Sequence, residues 1–102
     1  MTARKYRWSK TYESAEEELT ALLAHKNITA ERWSIDAFEN RVAEPAPSGR
    51  RLWCAEGSTT VIVNEKNYSL QPGDTLDIAA PGAYQAIAGL NGCSCYEIVT
   101  ES

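Results

Sequence analysis

A mainly β domain with one short N-terminal helix is what this chain predicts, and three observations carry that reading. Between Arg50 and Ala88, short apolar runs alternate with polar residues at a period of two, the period of a strand with one buried face. Turn chemistry recurs at close intervals: Gly57, Asn64–Asn67, Pro72-Gly73-Asp74 and Pro81-Gly82. Clear helical periodicity is confined to the segment before residue 27. Together these give the rhythm of an all-β meander or jelly roll.

Residues 1–12 read as a polar lead-in anchored by Tyr6, Trp8 and Tyr12. Ser14-Ala15-Glu16-Glu17 then fits a capping box, in which the serine oxygen accepts from a first-turn amide and the glutamate reaches back. Glu16, Glu17 and Glu18 suit the positive end of a helix dipole, and His25 and Lys26 suit the negative end. Leu19, Leu22 and Leu23 form one apolar stripe, and Asn27 tolerates the left-handed cap conformation. These features predict a helix over 15–25. Its stripe must cover apolar surface, on the outside of the β-layers or across an open end.

From Ala30 to Phe38 the pattern alternates, with Trp33, Ile35 and Ala37 on one face and Arg32, Ser34 and Asp36 on the other. Residues 44–49 form a loop, because Pro45 and Pro47 deny ladder donors. Strands follow at about 51–56, 59–63, 67–70, 75–79, 84–88 and 93–99, joined by connections of hairpin length. Asp74 is read as a turn-stabilising carboxylate, Asp77 as outward-facing, and Glu97 and Glu101 as solvated strand-end charges. The whole chain, 1–102, is read as a single domain, with lead-in and helix over 1–27 and the β portion over 28–102.

Bulk properties narrow the function. A length of 102 residues suffices for one hydrophobic core. The net charge of −4 argues against nucleic acid as the main partner. The lack of an apolar run of about eighteen residues argues against a membrane partner. The basic N-terminus has no apolar stretch behind it and does not read as a secretory signal, so a cytoplasmic location is expected. Cys54, Cys93 and Cys95 make an odd count, which favours reduced thiols. Cys93 and Cys95 share a strand face about 6.7 Å apart, too poorly oriented for a ready bridge. With a fourth donor the three thiols would make a zinc set; the plainer reading is three small buried hydrophobes.

The order of a Glu-Gly pair, two strands, Pro72-Gly73-Asp74, a strand and Pro81-Gly82 resembles the cupin superfamily over roughly residues 30–99. That resemblance implies a double-stranded β-helix, a jelly-roll barrel, with the helix outside it. Cupins carry His-x-His and a glutamate in a first motif and a histidine in a second. Anchored on Gly57, the first motif places Arg50 at the glutamate position and Glu44 and Ala46 at the histidine positions. Anchored on Gly73, the second places Tyr84 at the histidine position, or Gln85 if the turn is displaced by one residue, and Ala88 at its last position. An obligate cation at Arg50 repels a divalent ion, and the one histidine, His25, lies on the helix. No metal and no other cofactor is therefore expected.

Period-two geometry puts Leu52, Cys54 and Glu56 on the face of Arg50, and Ala86 and Ala88 on that of Tyr84. The candidate ligand-binding residues are thus Arg50, Leu52, Cys54, Tyr84 and Ala86. Arg50 and Tyr84 suit an anion or a carbonyl. Alternatively, Arg50 snorkels to a neighbouring Glu44 or Glu56 and Tyr84 only fills the core. Trp53 and Ala55 point the opposite way. Trp33 and Trp53 form either an exposed interface patch or a surface under the helix. The expected function is a metal-free small cupin that binds a small polar or anionic ligand. The alternatives are a sugar isomerase or epimerase, and a structural or regulatory homodimer with a filled interior. A catalytic reading is disfavoured, since Tyr84 alone is a poor acid or base at neutral pH. The resemblance also implies a homodimer that pairs sheets face to face.

Overall fold

The computed structural model describes residues 3–8 and 15–100. Its elements are β1 (Ala3–Arg7), α1 (Ala15–His25), β2 (Glu31–Ile35), β3 (Asn40–Ala43), β4 (Gly49–Val63), β5 (Lys66–Leu70), β6 (Asp74–Ile78) and β7 (Tyr84–Thr100). β4 and β7 organise the rest, being 15 and 17 residues long and antiparallel over nearly their whole length. The N-terminal half of β4 pairs with the C-terminal half of β7. Beyond them lie β6 and β1 on one side and β2 on the other. The C-terminal half of β4 pairs with the N-terminal half of β7, flanked by β5 and β3. Two layers result, and they enclose a core that includes Leu52, Val61, Leu70, Leu76, Ile78 and Ala86.

The layers are two halves of one sheet folded at the middle of β4 and β7. Register shifts fall between Cys54 and Glu56 and between Gly57 and Thr59, and such bulges bend a strand without ending it. Gly57 and Gly92 both take positive φ there, 69° and 73°. A β-carbon on Gly57 would sit 2.0 Å from the Gly92 carbonyl oxygen, so only glycine fits this crossing. The expected breaks at 57–58 and 89–92 are therefore bends inside continuous strands, not hairpin turns. The hairpin between β4 and β5 is real, with Asn64 and Glu65 at φ 49° and 68°, as a type I′ turn requires. At the next turn the Gln71 amide donates to Asp74 Oδ2 at 2.9 Å, the role expected of that aspartate.

Two expectations need correction. The sheet has seven strands but does not close into a jelly-roll barrel. β1 and β2 end one layer and β3 and β5 end the other, and among the described residues no ladder joins those edges. The edges carry exposed charge instead, at Arg4 and Lys5 on β1 and at Glu31 and Arg32 on β2, which suits strands that stay unpaired. The lead-in is also not plain coil, since residues 3–7 form β1 against β6. With β3, it is a strand too short for its alternation to stand out in the sequence.

The helix spans the expected residues, while its Ser14 capping box and Tyr12 lie outside the described ones. Its C-terminus is a Schellman motif. Asn27 has φ 56°, the Ile28 amide donates to the Leu23 carbonyl at 2.9 Å and the Asn27 amide to the Ala24 carbonyl at 3.1 Å. Ile28 and Leu23 then meet in a second apolar cluster with Leu19, Trp53 and Ala55. The helix thus lies on the outer face of the first layer. Glu16 adds polar ties there, accepting from Arg32 Nε at 2.7 Å and from the Tyr96 hydroxyl at 2.8 Å. The two tryptophans part company: Trp53 lies under the helix, and Trp33 lies in the core between the layers.

Leu19 is fully buried in the helix–sheet contact, whereas Val99 is exposed. Leu19→Ala should therefore lower unfolding free energy by about 2–4 kcal/mol, and Val99→Ala by no more than about 0.5 kcal/mol. Urea denaturation of the two variants checks the difference. Equal losses would mean the helix is not docked on Trp53.

Candidate functional site

Residues from four strands meet at one end of the space between the layers. Arg50 opens β4 on the face of Leu52 and Cys54, and Tyr84 opens β7 on the face of Ala86 and Ala88. Glu97 lies near the other end of β7, in the first layer, so the chain must fold back at the Gly92 bend to bring it to Tyr84. Trp33 comes from β2 and Arg41 from β3.

Glu97 is the hub. Its side chain is only 8% exposed, which for a carboxylate is costly unless every oxygen finds a donor. Trp33 Nε1 donates to Glu97 Oε1 at 3.2 Å, the Tyr84 hydroxyl donates to the same oxygen in a short bond, and Arg50 Nη1 donates to Oε2 at 3.2 Å. Arg50 Nη2 also donates to the Glu44 carbonyl oxygen at 3.1 Å. Arg50 Nε is buried and has no partner. Arg41 stacks over the Trp33 ring with its guanidinium carbon 4.7 Å from the centroid, and its Nε donates to the Tyr84 hydroxyl at 3.2 Å. Its charge is met by the exposed Glu31 carboxylate, 3.7 Å away, and by the field of Glu97.

The electrostatic consequence is clearest at Tyr84. Burial, then the hydrogen bond to Glu97, push its phenol well above the ordinary tyrosine value, against the opposing pull of Arg41. Tyr84 is thus held as a donor, not as an acid. Two guanidiniums are matched by two carboxylates, Glu97 buried and Glu31 exposed, so the buried part of the site holds one anion between two cations.

Of the expected site residues, the structure brings Arg50 and Tyr84 together around Glu97. Leu52, Cys54 and Ala86 are fully buried in the neighbouring core. Tyr84, not Gln85, is the inward residue. Arg50 does not pair with the side chain of Glu44 or of Glu56; the Glu56 carboxylate instead lies 4.0 Å from Arg32. Glu97 itself is no solvated strand-end charge, and that expectation is corrected. The signal for it was present, because Glu97 stands in phase with Cys93 and Cys95, the inward face of β7. Trp33 and Arg41 were likewise not among the expected ligand-binding residues.

Elsewhere, Asp77 on β6 gathers the cations of β1 and β4, with Arg51 Nε at 2.5 Å and Arg4 Nη2 at 3.5 Å. The three cysteines converge: Cys54 and Cys95 are register partners on β4 and β7, and Cys93 follows on the same face. Among the described residues no group of three or more His, Cys, Asp or Glu side chains is arranged to hold a metal ion. Nor is any described helix long and apolar enough to cross a membrane.

No protein-family model matches the chain, and no curated protein does. Solved structures do. A DUF861 family protein from Thermotoga maritima superposes with a TM-score of 0.63 at 13% identity, covering 95% of this chain and 98% of that one. The Cupin_2 domain of an XRE family transcriptional regulator from Enterobacter cloacae superposes with a TM-score of 0.61 at 6% identity, covering 100% of this chain and 99% of that one. At such identities the likeness is one of fold, and it spans each chain from end to end. The protein therefore shares the fold of these two structures, one of them a Cupin_2 domain, in a form whose seven-stranded sheet stays open and whose described residues offer no metal-ligand cluster.

Proposed function

We propose that the protein is a metal-free binding module for a small anionic ligand, with a carboxylate as the group it recognises. The observation that carries this reading is the donor excess around Glu97. Arg50 keeps a buried Nε without a partner, and beyond its bond to the Tyr84 hydroxyl Arg41 has one long ion pair, to the exposed Glu31. A carboxylate suits planar guanidinium forks better than a point anion does. The Trp33 ring, already stacked on Arg41, would hold that fork in a fixed plane. Arg50 and Tyr84 would orient the ligand, and Leu52, Cys54 and Ala86 would supply the rigid apolar backing. A ligand so placed would meet Arg41 first, because that side chain is 31% exposed while Arg50 is 16% exposed.

Binding is favoured over catalysis by the state of Tyr84. A phenol pushed upward by burial and by a carboxylate gives up its proton less readily than free tyrosine, so it makes a poor general acid near neutral pH. Its partner Glu97 is already engaged by three donors.

Three measurements test this picture. Small mono- and dicarboxylates should raise the melting temperature of the parent protein, and Arg41→Ala should weaken that binding by about tenfold or more, the worth of one charge-assisted bond. An unchanged shift in Arg41→Ala would remove this end of the molecule from the site. Glu97→Ala should lower unfolding free energy by about 3 kcal/mol, since it leaves Arg50 and two neutral donors without their buried acceptor. Denaturant titration checks it, and a loss below about 0.5 kcal/mol would mean that Glu97 is not the hub.

The third is a pH dependence. The folded-state value of Tyr84 is raised, so its contribution to stability is fully present below the unfolded value near pH 10 and is lost as pH rises through the folded one. Parent stability should therefore fall more steeply than that of Tyr84→Phe as pH rises above about 10. Parallel denaturation midpoints over that range would contradict the assignment.

A further inference from the structure

We propose that Cys93, Cys95 and Cys54 form a thiol relay that reduces small hydroperoxides, with Cys93 as the attacking sulfur and Cys95 and Cys54 as the pair left oxidised. The proposal is independent of the anion site, although both use the inward face of β7. Its basis is placement. Cys54 and Cys95 face each other across the β4–β7 ladder. Directly opposed residues in an antiparallel pair have Cα atoms about 4.5–5.5 Å apart, inside the span that a disulfide accepts. Cys93 stands two residues from Cys95 on the same face, and it lines a cleft of about 580 Å³ with Ser34, Glu56, Gly57, Asn91 and Ser94. Cys93 borders that cleft at 4% exposure, whereas Cys54 and Cys95 are fully buried.

The thiols also differ in acidity. The Cys95 thiol, hydrogen-bonded to Cys93, lowers the Cys93 value against burial, with smaller help from Thr59 and the Ile35 backbone. Cys95 itself is pushed well up by its bonds to Cys54 and Cys93 and by burial. Cys54 donates weakly to the carbonyl oxygens of Glu56 and Gly57, at 3.9 and 4.0 Å, where β4 bulges. Cys93 is thus biased toward the nucleophilic thiolate, and Cys95 is kept as a protonated reserve.

The chemistry balances as follows. The Cys93 thiolate attacks the terminal peroxide oxygen; an S–O bond forms, the O–O bond breaks, and the departing alkoxide takes up the proton that Cys93 released. Cys93 is now a sulfenic acid and the hydroperoxide has become an alcohol. The Cys95 thiol, which the structure holds in hydrogen-bond contact with Cys93 where regular strand spacing alone would not, attacks that sulfur and water leaves, giving a transient Cys93–Cys95 disulfide. The Cys54 thiol then attacks the Cys95 sulfur and its proton passes to Cys93. The products are a cross-strand Cys54–Cys95 disulfide and a regenerated Cys93 thiol. Two thiols have been oxidised for one O–O bond reduced.

Peroxide oxidation of the reduced full-length protein tests this. With stoichiometric hydrogen peroxide, peptide mapping of the parent should show a Cys54–Cys95 disulfide and a free Cys93. Early dimedone quenching should label Cys93 ahead of the other two thiols. Cys93→Ser should lose thiols at least about tenfold more slowly than the parent, and Cys95→Ser should accumulate the dimedone adduct on Cys93. First labelling on Cys54 or Cys95 in the parent would overturn the relay, and that readout needs no variant to fold. Thiol loss in Cys93→Ser as fast as in the parent would overturn it too, as would parent oxidation at the rate of free cysteine. Carboxylate binding should persist in Cys93→Ser, which separates failure of this proposal from failure of the anion site.

Discussion

One buried carboxylate fixes how the two layers of this sheet meet. Glu97 sits in the first layer, and its phenolic donor Tyr84 comes from the second. A carboxylate taken out of water is tolerable only when its lone pairs are filled, and here donors on β2, β4 and β7 fill them. Trp33 and Arg50 share the layer of Glu97, but Tyr84 reaches it from the other layer, so the full set of donors exists only when the sheet has folded at Gly57 and Gly92. The bends and the hub are therefore one constraint. Glycine at the crossing permits the fold, and the hub selects the relative position of the layers. The Arg41–Trp33 stack makes a second tie from β3 to β2.

That arrangement explains how the sheet can stay open. A closed barrel satisfies its edges by pairing them. Here, among the described residues, no ladder joins the four edge strands across the layers, which are held by the shared strands β4 and β7, by the core between them and by polar ties across the end of the interior. The core is packed with the chain's own Leu52, Val61, Leu70, Leu76 and Ala86, all fully buried. The proposed ligand is accordingly best accommodated at the rim, where Arg41 and Arg50 present guanidinium donors, and not in the centre. The absence of imidazoles there fits the same logic, for the positions that the cupin resemblance aligns with metal ligands hold a cation, a phenol, alanines and the carboxylate of Glu44.

Much of this was legible in the sequence, and the failures share a cause. The helix was readable from the spacing of Leu19 and Leu23 and from Asn27, whose left-handed conformation closes a Schellman motif. Arg50 and Tyr84 could be placed inward by alternation alone. Partners could not be, because alternation gives a side chain's face but not what lies opposite it. Glu97 shows the limit: its phase with Cys93 and Cys95 marked it as inward, yet a carboxylate near a strand end is usually solvated, and its donors stand 13, 47 and 64 residues away in sequence. Continuity across Gly57 and Gly92 was hidden for a related reason, since glycine marks a bulge and a hairpin turn alike. The edges β1 and β3 escaped notice because four or five residues, mostly exposed, give alternation too little length.

The inward face of β7 carries a final consequence. Cys93, Cys95 and Glu97 stand at successive inward positions, opposed by the β4 residues that include Cys54 and Leu52. Such a row is unusual for a strand whose sole duty is packing, since valine or isoleucine would bury more apolar surface at each position. Glu97 is accounted for by its donors. The thiols are not accounted for by packing alone, because three of them in contact give up area and branching together. Their position beside the bulges is also where β4 and β7 depart from regular pairing, so local adjustment of the ladder costs less there than in the straight halves of the strands. A covalent change at Cys54 and Cys95 would act on the same two strands that hold Arg50 and Glu97, only two to four residues further along. The physical route between thiol chemistry and the anion site is thus a pair of shared strands, with Leu52 and Glu97 as the register pair between them.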